Sequence, residues 1–141
     1  MGYNFSKEKV VFRLSHKKLI INWLDSLIKK ERAKRGDISY IFCTDKYLLN
    51  MNKAYLNHDF YTDVITFDYS EHKLISGDIF ISIDRVKDNA KQFNVSFQNE
   101  LLRVIVHGVL HLCGYNDKTK AQEKQMRAKE DYYLSLFPKS K

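Results

Sequence analysis

The stretch from Arg103 to Asp117, RVIVHGVLHLCGYND, constrains this chain more than any other. Its first ten residues are apolar except for Arg103, His107 and His111. Ser96 is placed to cap a helix through this stretch, with Glu100 near its first turn, and Gly114 is placed to end it. A helix that is apolar around most of its circumference has to be covered by other elements. The remaining sequence therefore has to supply layers that bury it.

Those layers can be read from periodicity. Residues 3–13 alternate loosely and predict an edge strand. In residues 16–34, Leu19, Ile20, Trp23, Leu24, Leu27 and Ile28 recur at spacings of three and four, which predicts a helix capped by Ser15 and stopped by Gly36. DISYIFC (37–43) reads as a strand with Ile38, Tyr40 and Phe42 on one side. Thr44 or Asp45 caps a helix to about Tyr55. TDVITFDY (62–69) is β-branched and aromatic, hence a strand, and DIFISID (78–84) is another after a turn. Helices follow from Asp84 to about Gln92, through the histidine segment, and from Lys118 to Phe137, where Met126, Tyr133 and Phe137 read as core. The expected fold is α+β: a small mixed β-sheet packed with helices, with the histidine helix followed by a loop and a C-terminal helix. The 141 residues hold five glycines, no repeat and no linker, and their only proline is Pro138, so a single domain over 1–141 is expected.

No run approaches the eighteen or so apolar residues of a membrane span, and residues 1–12 lack the apolar core of a secretory signal. Two cysteines, Cys43 and Cys113, do not make a disulfide scaffold, so a cytoplasmic protein with reduced thiols is expected. The net charge of +7 is confined to residues 1–35, where ten Lys/Arg face three Asp/Glu. The densest part, Lys29 to Arg35, suits a solvated helix end. Its sharper reading is an anchor for a polyanion such as RNA.

Residues four apart on a helix lie about 40° apart around the axis and about 6 Å apart along it. His107 and His111 therefore point the same way and are able to share one metal ion. Gly114 permits a sharp turn, after which Asp117 can approach the same point. His-x3-His-x5-Asp supplies three protein ligands and leaves a fourth position open, as catalytic zinc sites do. Ferrous iron also suits two histidines and a carboxylate. Hydrogen-bonded core or rim histidines are the bland alternative. Zinc proteases place a glutamate base directly after the first histidine. Here that residue is Gly108, which weakens a helix unless something must lie close to its backbone.

HGVLHLCGYND resembles the signature of the YbeY family of metal-dependent endoribonucleases, H-G-x-L-H-L-x-G-Y-D-H. Upstream, Asn52 and Tyr55, TDVITF (62–67), GDIFIS (77–82) and the acidic Glu100 stand in the family's order, so the resemblance covers roughly residues 45–130. Three positions depart from it. Asp117 replaces the family's third histidine, and as a carboxylate it should leave metal-bound water less acidic. Leu56 stands where many members carry an active-site arginine. Tyr61 replaces the usual proline before the TDV strand.

The resemblance implies a single-strand-specific RNase of zinc-dependent mechanism, acting in 16S rRNA 3′-end maturation and ribosome quality control. Its partners would be single-stranded RNA, rRNA and the small ribosomal subunit. Phosphoryl transfer relies on positioning and charge stabilisation, so the absent glutamate matters less than in a protease. Arg103, one turn before His107, is the candidate to touch substrate phosphate in place of the missing arginine; a surface ion pair with Glu100 is its alternative. Thr62 and Asp63 are expected to fix the strand entry. His16, His58 and His72 read as surface residues, and Cys113 as a core thiol facing away from the histidines. A zinc hydrolase of another substrate such as peptide, and a ribosome assembly factor with a structural metal, remain as alternatives.

Overall fold

The computed structural model describes residues 2–56 and 62–138. The elements, in chain order, are β1 (Tyr3–Lys7), α1 (Lys17–Lys30), β2 (Lys34–Cys43), α2 (Asp45–Leu56), β3 (Val64–Asp68), β4 (Leu74–Ser82), α3 (Ile83–Gln92), α4 (Phe97–Leu112) and α5 (Lys120–Ser135). This is the expected order of strands and helices. The four strands form one mixed sheet in the order β1-β2-β4-β3. β1, β2 and β4 run parallel, and β3 returns antiparallel beside β4. Thr66 on β3 faces Ile79 on β4, and Tyr40 on β2 lies beside the same Ile79.

The histidine helix α4 is the centre of the molecule. Leu101, Leu102, Val104, Ile105, Val106, Val109, Leu110 and Leu112 are all buried. The helix packs on the sheet, with α1, α3 and α5 against its remaining sides. The Tyr40 hydroxyl donates to the Ile105 carbonyl at 2.8 Å, which ties β2 to α4 inside the core. The Trp23 indole N–H donates to the Tyr133 carbonyl at 2.8 Å and ties α1 to α5. Gly108 explains itself here. A Cβ at that position would lie 2.8 and 2.9 Å from two Ile79 carbons, so the helix rests on β4 with its backbone.

The expected boundaries shift where left-handed residues other than glycine intervene. β1 stops at Lys7 instead of 13, and Lys9, at φ 61°, turns the chain off the sheet edge. α1 starts after His16, itself left-handed and without a side-chain cap, so Ser15 is not the N-cap. The same helix ends at Lys30, and Arg32 at φ 60° makes the left-handed turn assigned to Gly36. Gly36 instead lies in β2, where a Cβ would run into the Ser76 hydroxyl oxygen. β4 begins four residues earlier than expected, at Leu74, because a tight turn at His72 (φ 56°) pairs Glu71 with Leu74. α5 starts at Lys120 behind Thr119, whose side chain closes a capping box with Gln122.

Gly108→Ala separates packing from helix propensity. Alanine should stabilise an exposed helix position by about 1 kcal/mol. Here overpacking against Ile79 is expected to dominate and to destabilise the fold by about 1–3 kcal/mol, read as a lower midpoint in urea unfolding. A raised midpoint would show that the helix and strand are not in this contact.

Candidate metal centre

α4 carries His107 and His111 on one side, their ring centroids 4.7 Å apart. The helix ends at Leu112. Gly114, at φ 108°, reverses the chain in a conformation that L side chains rarely adopt. The returning loop brings Asp117 to the histidines. Its Oδ2 lies 3.3 Å from His107 Nε2 and 3.5 Å from His111 Nε2. Among the described residues, these three are the group of His, Cys, Asp and Glu side chains whose ligand atoms converge.

The donor geometry passes a simple test. Zinc–nitrogen and zinc–oxygen bonds of about 2.0–2.2 Å at tetrahedral angles put neighbouring ligand atoms about 3.4 Å apart. The two separations bracket that value. Two imidazoles and one carboxylate could therefore hold a tetrahedral divalent ion while leaving one position free. His107 and Asp117 line an open cleft of about 590 Å³, so the donors are reachable from solvent.

The orientation of His107 comes from a residue that the sequence did not single out. His107 Nδ1 lies 2.6 Å from Oε2 of Glu130, on α5. A carboxylate can only accept, so Nδ1 carries the proton and Nε2 keeps its lone pair toward Asp117 and His111. Glu130 is buried, and its other oxygen accepts from Arg103 at 2.8 Å. Arg103 also donates to Asp131 at 2.7 Å. Both partners lie on α5, so the ion pair with Glu100, the alternative reading of Arg103, is not the one it makes. A signal for Glu130 was present in the sequence: Met126, Glu130 and Tyr133 share the buried stripe of α5, at spacings of four and three. A carboxylate in an apolar stripe needs cationic or N–H partners.

These contacts set the proton affinities. Burial opposes the charged form of His107. The hydrogen bond and charge of Glu130, with Asp117 and Asp63 behind them, nevertheless hold its pKa above the ordinary value. His111 is pushed down, by burial first and then by His107. Asp63 and Glu100 also line the cleft. Burial raises both carboxyl groups, and their mutual repulsion adds to the rise in Glu100. Asp63 accepts from the Asn89 amide at 3.4 Å and, through its backbone carbonyl, from the Ser82 N–H. It thus fixes the strand entry, as expected, and also faces the cleft.

The other residues singled out in the sequence fall as follows. Cys113 is half-buried at the end of α4 and outside the donor group, its thiol pushed up to about 12 by burial. Cys43 is buried on β2, its thiol likewise up at about 12. Met126 and Tyr133 are core, and the Phe137 ring packs edge-on to Trp23. Asn52 is buried on α2, while Tyr55 and Leu56 at its end are exposed. His58 and Tyr61 lie outside the described residues.

A small α+β protein with two histidines on its central helix and an aspartate on the following loop, a group that could hold a metal ion, is the class that the fold and site define. The model of the family Endoribonuclease YbeY matches residues 3–137. The curated Endoribonuclease YbeY of Flavobacterium johnsoniae is 49% identical over 137 residues, covering 97% of this chain and 96% of the relative. That of Flavobacterium psychrophilum is 54% identical over 129 residues, covering 92% of each. The solution structure of the Thermotoga maritima protein TM1509 superposes with a TM-score of 0.66 at 28% identity, covering 94% of this chain and 87% of that one. The chain belongs to the Endoribonuclease YbeY family. Among the described residues, no helix is long and apolar enough to cross a membrane.

Glu130→Gln keeps the shape of the side chain and removes its charge. Loss of such an outer hydrogen-bond partner is expected to weaken zinc binding about ten- to hundredfold, measured by competition with a chelating dye. Unchanged affinity would mean that Glu130 serves only the fold.

Proposed function

We propose that this chain is a single-strand-specific, zinc-dependent endoribonuclease acting in maturation of the 16S rRNA 3′ end and in ribosome quality control. In this reading residues 1–141 act as one cytoplasmic domain, with His107, His111 and Asp117 as the metal ligands. The observation that carries it is the convergence of these three donors beside an open cleft in a member of an endoribonuclease family. When bound, zinc would supply Lewis-acid polarisation of a phosphodiester oxygen and lower the pKa of water.

The chain's own residues do the rest. Glu130 holds the Nδ1 proton of His107 and so keeps the lone pair of Nε2 directed at the donor cluster. Arg103 lines the cleft on the same face as His107. Its bond to Glu130 is shielded, whereas Asp131 is 58% exposed. Arg103 is therefore able to exchange the Asp131 carboxylate for a substrate phosphate oxygen without releasing Glu130. Hydrogen bonds to ionised phosphate stabilise charge that develops during transfer.

Peptide hydrolysis is the weaker reading. The position that carries the proteolytic base in zinc proteases is Gly108, which is buried against Ile79 and cannot take a proton.

The reading predicts metal-dependent cleavage of a single-stranded RNA, abolished in His107→Ala with far-UV circular dichroism unchanged. Arg103→Gln should retain zinc and lose cleavage by about a hundredfold or more, the scale of an oxyanion-type donor. A folded, zinc-loaded wild type that leaves RNA intact would sink the nuclease reading and favour an assembly factor with a structural metal. Wild-type rates in Arg103→Gln would remove Arg103 from the mechanism alone.

A further inference from the structure

The cleft beside the donor cluster has walls of different chemistry. α4 forms its floor, with α3 packed on one side and α5 on the other. On the α5 side, Lys120, Lys124 and Arg127 line the cleft at positions i, i+4 and i+7. They form one exposed row about 10 Å long. Arg127 is partly committed, 3.7 Å from Glu130. Lys120 and Lys124 make no hydrogen bond or ion pair among the described residues. Helix physics does not account for Lys120: it is the first residue of α5, where the helix dipole disfavours a cation.

The facing wall ends in an aromatic ring. Phe93, the residue that closes α3, lines the same cleft and is 52% exposed. Its ring stacks on no other ring among the described residues. Between these rims the cleft is lined by the carboxylates of Asp63, Glu100 and Glu130, with Arg103 paired to Glu130. A polyanion thus finds a row of cations along the α5 rim, while a flat apolar group finds a platform at Phe93.

We propose that the cleft seats one RNA strand with successive phosphates on Lys120 and Lys124 and an unpaired base stacked on Phe93. The proposal rests on the endoribonuclease reading and deepens it. It gives that reading a physical source of single-strand selectivity. A base inside a duplex is already stacked and paired, so only an unpaired base can lie on the ring. The lysines lie four residues apart, about 6 Å along the helix, which suits adjacent phosphates of an extended strand. Glu123, also on the rim, confines the phosphate path to the lysine row.

The test is fluorescence anisotropy of zinc-loaded protein with a short labelled oligouridylate, 2′-O-methylated to resist cleavage, across a salt series. Phe93→Ala should weaken single-strand binding about five- to hundredfold, the range for losing one stacked base, and leave duplex binding unaltered. Lys120→Gln with Lys124→Gln should lower the slope of log affinity against log salt by about 1.4, about 0.7 for each lost phosphate contact. All three side chains line the open cleft, so zinc content and circular dichroism should match the wild type. Wild-type affinity and slope in both variants, with RNA cleavage intact, would overturn this surface and leave the nuclease reading standing. Failure of the wild type to bind or cleave single-stranded RNA would bring down both.

Discussion

A buried carboxylate has to be neutralised, and Glu130 is one whose partners α4 supplies. It is 5% exposed and lies between Arg103 and His107, at 2.8 and 2.6 Å. Left without both partners, the carboxylate would hold its charge in a low-dielectric interior, which is far costlier than losing a surface pair. The arrangement therefore locks α5 against α4 in one register. The same contact selects the tautomer of His107. Structure and site thus share one interaction: the pairing that satisfies Glu130 is also the one that aims a donor nitrogen at Asp117.

A second polar cluster steadies the other half of the site. Glu31, just beyond α1, accepts from the Tyr115 hydroxyl at 2.6 Å, from the Tyr133 hydroxyl, and from Lys129 at 3.2 Å. Tyr115 lies two residues before Asp117, so this cluster pins the loop that carries the third donor. Burial opposes ionisation of Glu31, and three hydrogen bonds to its carboxylate reverse the effect and hold its pKa below the ordinary value. α4 itself cannot shift to accommodate a misplaced loop, because Gly108 seats its backbone on Ile79. The donors are held by packing beneath, by Glu130 behind His107 and by Glu31 beside the loop.

Much of this was legible in the sequence, for local reasons. Element order follows from periodicity and caps, which act over a few residues. Ser96 carries its cap in the structure, and the i, i+4 histidines followed by Gly114 and Asp117 converge. Three features were not legible. Lys9, His16 and Arg32 adopt left-handed conformations that ordinary side chains rarely take, so strand and helix ends were misplaced. Gly36 suggested a helix stop, yet it serves close contact with Ser76, 40 residues away. The partners of Arg103 lie 27 and 28 residues further on, beyond any helical-neighbour rule. Glu130 announced itself only as a charge in an apolar stripe, a signal that names a need for a partner without naming the partner.

The central claim is that Asp117 completes a metal site with His107 and His111. Metal content by mass spectrometry on untagged protein, wild type beside Asp117→Ala, tests it most directly. The account predicts one equivalent of zinc in the wild type, lost or much weakened in the variant, with folding retained. No metal in the wild type even after reconstitution, or full zinc binding in Asp117→Ala, would contradict it.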